Sequence, residues 1–211
     1  MRDLVEQLAY NRRLDNASLK ALLNGCVTDE HLLQLLRDYA VRTAREQFGL
    51  GVYIRGLIEL SSYCKCDCLY CGLRRSNRQA ERYRLSHDEV MMCCKEGYNL
   101  GFRTFVLQGG EDGTHTDEWL VELLQKMRTT YPDVAITLSL GERSEESYRR
   151  LKEAGANRYL LRHEAADADL YAGLHPSSKG LEHRLECLGA LKRLAGATKF
   201  GFNRFFSCPF F

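Results

Sequence analysis

The sequence has no charge excess of either sign: 30 lysines and arginines face 28 aspartates and glutamates, a formal net charge of +2. A chain so balanced offers no broad basic face to a phosphate backbone or an anionic bilayer, so neither nucleic acid nor a membrane is an expected partner. It also lacks any apolar run near the ~18 residues that a spanning helix needs, and its charged beginning lacks the pattern of a secretory leader. A cytoplasmic, reducing setting is expected, where disulfides rarely persist. No G-x-G-x-x-G follows the first expected strand, which weighs against a dinucleotide fold. Cysteine, by contrast, is abundant. There are nine, an odd number that suits a full disulfide set poorly. Four of them, Cys64, Cys66, Cys68 and Cys71, stand within eight residues, which reads as metal binding. Cys93, Cys94 and Cys187 fall on expected helices and read as small buried apolar side chains.

Apolar residues make up 45% of the chain, enough for a sizeable core. Residues 1–48 read as a helical segment that packs on the rest of the chain. Its longest helix is expected to be capped by Thr28, to carry the apolar stripe Leu32, Leu33, Leu36 and Tyr39, and to end at Gly49. Residues 49–198 alternate strands and helices. Strands are expected at 52–60, 104–108, 134–140 and 158–162, and helices are expected behind the caps Ser86, Thr116 and Ser144 and over 181–194. That alternation implies an α/β fold with a parallel sheet: a partial TIM-type (β/α) barrel with a helical N-terminal segment, a doubly wound sheet being the alternative. A complete eight-unit barrel takes ~250 residues, so four units and a possible fifth strand at 199–202 read as a fragment. The phenylalanine-crowded stretch 199–211 reads as an aberrant or truncated tail.

Cys64, Cys68 and Cys71 form C-x3-C-x2-C in the loop after the first strand. In a TIM-type barrel that is the catalytic face. Three thiolates can hold three corners of a 4Fe–4S cube and leave the fourth iron open for a small chelating ligand. Cys66 complicates the count, because all four thiols could instead close a tetrathiolate zinc site.

C-x3-C-x2-C with Tyr70 before its last cysteine resembles the radical S-adenosylmethionine (radical SAM) superfamily. The stretches Cys71-Gly-Leu-Arg-Arg-Ser-Asn77, Arg82-Tyr-Arg84, Val106-Leu-Gln-Gly-Gly-Glu-Asp112, Thr137-Leu-Ser-Leu-Gly-Glu142, Arg158-Tyr-Leu-Leu-Arg-His-Glu164 and His183-Arg-Leu-Glu-Cys-Leu188 extend the likeness. Together they resemble the branch that includes biotin synthase, the pyrrolysine-pathway mutase and, most of all, the HydE family of FeFe-hydrogenase maturases. The resemblance implies a 4Fe–4S cluster on the cysteine triad and SAM as co-substrate, cleaved reductively to a 5′-deoxyadenosyl radical. It further implies a small-molecule or small iron-complex substrate, an electron donor such as a ferredoxin or flavodoxin, and other hydrogenase maturases as partners.

The other site candidates each have a plainer reading. Gln108, Gly109, Gly110 and Glu111 make a glycine-rich turn. The resemblance makes it the methionine-binding loop, with Glu111 accepting from the ligand's ammonium. Ser139 and Glu164 close the third and fourth strands; a surface ion pair is the plain account of Glu164, and both contact SAM by resemblance. Arg184 is either an exposed helix arginine or the partner of SAM's carboxylate. Tyr70 either packs or stacks on adenine. Independently of any family, these polar residues collect after Leu60, Leu107, Leu138 and Leu161, at the ends of expected strands on one face of a parallel barrel.

Overall fold

The computed structural model describes residues 1–52 and 54–196. The chain divides between residues 53 and 54 into two compact units. The expected tail 199–211, with its possible fifth strand, lies outside the described residues.

The first unit contains helices α1 (Arg2–Asn11), α2 (Asn16–Thr28) and α3 (Glu30–Phe48). They meet around Val5, Leu22 and Leu32. Thr28 does not cap α3 as expected. It ends α2, its hydroxyl donating to the Gly25 carbonyl at 3.4 Å. Asp29 takes the cap, its carboxylate accepting from the Leu32 N–H at 3.0 Å. A carboxylate at a helix start also gains from the dipole, which a hydroxyl does not.

The second unit alternates strictly: β1 (Gly56–Ser61), α4 (His87–Asn99), β2 (Thr104–Gly109), α5 (Asp117–Thr130), β3 (Ala135–Ser139), α6 (Glu145–Glu153), β4 (Arg158–Tyr159), then α7 (Ala168–Leu174) and α8 (Leu181–Gly196). The strands are parallel and pair in the order β1-β2-β3-β4. A doubly wound sheet would reverse direction at a switch point, and the described strands contain none. The architecture is therefore the partial (β/α) barrel. Its core lies between Leu60, Phe105, Leu107, Ile136 and Leu138 of the sheet and Val90, Leu120, Leu124, Met127, Tyr148, Leu151 and Leu191 of the helices. Ser86, Thr116 and Ser144 cap α4, α5 and α6, with a full capping box between Ser86 and Glu89.

Two strands are shorter than their composition suggests. β1 begins at Gly56 rather than Val52, because its partner starts only at Thr104 and the register sets Gly56 beside Phe105. β4 is two residues long rather than five, because β3 ends at Ser139 and Gly141 turns away at φ 78°. Cys94 is fully buried but Cys93, beside it on α4, is exposed. Adjacent helical positions point about 100° apart, so only one of the two can face the sheet.

Candidate functional site

The C-terminal ends of all four strands open into one cavity of about 220 Å³. Its lining includes Cys64, Cys68 and Cys71, together with Tyr70, Gln108, Gly109, Gly110, Glu111, Ser139, Glu164 and Arg184. Every candidate drawn from the sequence thus faces the same space.

The thiols ride on the loop that follows β1, and the chain's own donors shape it. Arg82 reaches back into the loop and donates to four carbonyls: Ser62, Leu73 at 3.0 Å, Arg74 at 2.9 Å and Asn77 at 3.1 Å. Leu69 N–H donates to the Leu174 carbonyl at the end of α7, at 2.9 Å, and Lys65 N–H to the Glu111 carbonyl at 3.0 Å. Gly110 lets the glycine turn press on this loop: a Cβ there would fall 2.6 Å from Cys64 Cβ. Asp112 ties the same turn to the end of β1. It accepts from Ser61 Oγ at 2.6 Å, Arg84 Nε at 2.6 Å and Thr114 Oγ1 at 2.9 Å. Burial alone would raise the Asp112 carboxyl, but these donors hold it well below the usual carboxylate range.

Cys64, Cys66, Cys68 and Cys71 are free, partly buried thiols. The Cys66 backbone N–H lies 3.4 Å from Cys64 Sγ, and the Cys66 thiol lies 3.5 Å from Glu111 Oε2. The Cys66 side chain and N–H beside it lower the Cys64 thiol to about 6, while Cys66 itself is pushed up. Burial pushes the Cys68 thiol up as well. Among the described residues no three His, Cys, Asp or Glu side chains gather as a ligand set for one ion. A single zinc needs every thiolate about 2.3 Å from one point, whereas a cube gives each thiolate its own iron.

Across the cavity stands a buried ionic cluster. Lys179, from the turn between α7 and α8, donates to Glu111 Oε1 and, at 2.5 Å, to Glu142 Oε2. Arg184 Nε lies 2.6 Å from Glu142 Oε1, and its Nη1 donates to the Arg162 carbonyl at 2.8 Å. Arg184 is 6% exposed, so it is not the exposed helix arginine that composition alone would suggest. Burial would raise the Glu111 carboxyl, yet the Lys179 ammonium brings it below its ordinary value. Gly141 makes room for Glu111, since a Cβ there would fall 2.6 Å from Glu111 Oε1. Glu164 holds a left-handed backbone at φ 67°, uncommon for a non-glycine residue and frequent at working sites. Tyr70 packs edge-on against His175 at 5.3 Å. His175 Nδ1 donates to the Tyr171 carbonyl at 2.8 Å, so its Nε2 accepts from the Tyr70 hydroxyl at 2.9 Å. Gln108 reaches Glu59 at 3.4 Å.

Sequence reasoning missed Lys179, Arg82, Asp112 and His175 as parts of this site. Arg82, Asp112 and Glu142 did stand inside the stretches that carry the family resemblance, but Lys179 and His175 lie in a polar stretch with no pattern of their own.

Comparison with known proteins bears on the same region. The family model of the radical SAM superfamily matches residues 58–201. The chain is 38% identical over 200 residues to the [FeFe] hydrogenase maturase subunit HydE of Thermotoga maritima, covering 95% of this chain and 56% of that protein. It is 31% identical over 171 residues to 3-methylornithine synthase of Methanosarcina acetivorans, covering 80% of this chain and 48% of that one. The crystal structure of the maturase HydG shares the fold at a TM-score of 0.82 and 23% identity, over 90% of this chain and 43% of that one. The chain thus spans about half the length of the curated relatives it matches. A family match across most of the strand–helix unit, on a parallel partial barrel whose thiol loop follows β1, shows that this chain belongs to the radical SAM superfamily.

Proposed function

We propose that Cys64, Cys68 and Cys71 hold a 4Fe–4S cluster and that the cavity beside them takes SAM. The supporting observation is the convergence of three free thiols, the carboxylates of Glu111 and Glu164 and the buried arginine Arg184 on one cavity. That donor set suits both groups: thiolates are the ligands of iron–sulfur clusters, and an amino acid carries one charge of each sign. Reductive cleavage of the sulfonium to a 5′-deoxyadenosyl radical is the chemistry the cluster supplies when bound.

The chain's own residues do the rest. Cys64 is a ligand whose thiolate the nearby Cys66 N–H favours. Glu111 and the carbonyls of Gly109 and Gly110 accept from the ligand's ammonium. Arg184 faces its carboxylate, a planar donor held in place by the Arg162 carbonyl. Ser139 and Glu164 contact SAM, and Tyr70, fixed by His175, walls one side.

Within the superfamily we favour a HydE-type role in building the di-iron centre of FeFe hydrogenase, on the strength of 38% identity over nearly the whole chain. The substrate is then a small iron-containing precursor, the electron donor a ferredoxin or flavodoxin, and other maturases are the partners. The 31% identity to 3-methylornithine synthase favours a second reading, a biotin synthase-like enzyme acting on a small organic molecule.

The test is anaerobic reconstitution followed by electron paramagnetic resonance. A reduced 4Fe–4S signal that shifts on adding SAM is expected. A chain that takes up no cluster, or one whose signal ignores SAM, overturns the reading.

A further inference from the structure

The chain is nearly neutral as a whole, but its charge is unevenly spread. Residues 63–84, which carry the thiols and lead back to the sheet, hold six lysines and arginines against two acids, Asp67 and Glu81. The whole chain has an excess of only two cations, so the remaining residues are net acidic. Some of the six are already engaged. Arg84 pairs with Asp112, Lys65 lies 3.5 Å from Glu111, and Arg82 is spent on loop carbonyls. Arg74 gives one arm to the Leu69 carbonyl at 2.9 Å. Arg75 and Arg78 are exposed, and neither forms an ion pair among the described residues. Asp67 stands near Arg74 and Arg75 and accepts from the Ser76 N–H at 3.0 Å. Even with Asp112 and Glu111 set against Arg84 and Lys65, four cations face two acids on this segment.

The segment is folded directly onto the thiols. Arg74 N–H donates to the Cys71 carbonyl at 3.2 Å, and Arg75 N–H to the Cys66 carbonyl at 2.9 Å. Leu69, between Cys68 and Cys71, is 63% exposed. The thiol loop therefore has a solvent-facing side, and the surplus positive charge stands one backbone hydrogen bond away from it.

We propose that this side of the thiol loop, with Arg75 and Arg78 as its free charges, is the docking face for an acidic one-electron carrier protein. This rests on the reading of Cys64, Cys68 and Cys71 as cluster ligands. Opposite charge steers such a partner and orients it, and electron-transfer encounters need only a small, weak, salt-sensitive interface. One electron leaves the carrier, which is oxidised, and reduces the cluster; no bond forms or breaks and no proton moves. A nucleic acid or an anionic bilayer would be drawn by the same charges, but neither makes use of their place beside the thiols.

The test uses the full chain with its cluster reconstituted, mixed anaerobically in a stopped-flow instrument with a flavodoxin in its hydroquinone state. Electron transfer is read as the appearance of the flavodoxin semiquinone. At low salt the Arg75→Glu/Arg78→Glu chain is expected to react at least about tenfold more slowly than wild type, and Arg75→Lys/Arg78→Lys to stay near it. Reduced methyl viologen, a small cationic donor, should reduce all three chains alike. Equal flavodoxin rates in wild type and the charge-reversed chain overturn the inference, as does an equal loss with both donors. A second readout needs no variant: the wild-type rate with flavodoxin should fall as salt rises, and a salt-insensitive rate overturns the docking face. Tighter binding of a single-stranded oligonucleotide or a phosphatidylserine vesicle than of flavodoxin overturns it in favour of that partner. If the wild-type chain holds no cluster, the site reading falls and this inference with it; if methyl viologen reduces the cluster and charge reversal changes nothing, only the inference falls.

Discussion

Single side chains decide what the cavity can hold. Cys68→Ser should lose most of the iron and sulfide that the reconstituted chain retains, while Cys66→Ser should retain them. Iron analysis of the two variants checks this, and equal loss would make Cys66 a ligand. The triad was legible in the sequence because thiols at that spacing have few other uses. Lys179 was not: its partner Glu111 lies 68 positions earlier, and no local period or residue pattern announces a contact of that range. Arg82 was equally hard to read as a brace, since donation to backbone carbonyls leaves no complementary residue type to look for. Asp112 supplies a pH prediction. Its folded-state carboxyl lies below the ordinary range, so the stability it confers is present above about pH 4 and is lost as pH falls below that. Urea unfolding at pH 7 and pH 3.5 should show wild type losing about 0.7 kcal/mol more than Asp112→Asn does over that interval.

At the scale of the element, the helix starts were the easiest part to read. Ser86, Thr116 and Ser144 all cap the helices expected behind them, because a short polar side chain before an acidic first turn satisfies helix-end N–H groups by local geometry alone. Strand ends were harder. Leu160 and Leu161 have strand composition, but a strand exists only beside a partner, and β3 has stopped by then. The turn after β3 carries its own requirement. Gly141→Ala should destabilise the chain by about 1–3 kcal/mol, since an alanine there adopts a left-handed backbone and collides with Glu111. Gly113→Ala, whose added methyl meets nothing within 4 Å, is the matched control and should be near neutral. Thermal unfolding of the pair separates local strain from a general effect of losing glycine.

For the molecule as a whole, the described sheet has two outer strands, β1 and β4. The far end of β1 is partly covered, where Leu85 N–H donates to the Leu60 carbonyl at 2.8 Å. Its near end is not: Leu57 is 56% exposed and Ile54 67%. Bare apolar strand edges invite pairing between chains. Leu57→Lys should therefore lower concentration-dependent light scattering without shifting the unfolding midpoint by more than about 0.5 kcal/mol. Unchanged scattering would clear this edge of responsibility. The strand order has another consequence. Each strand's neighbour in space is the next one in the chain, so a ribosome delivers every partner just after the strand that needs it. The sheet can grow at the pace of translation, each new strand closing on the one made just before it. The thiol loop emerges first and the glycine turn second. The lysine that locks them is among the last to arrive, and it closes like a latch over a chamber already built.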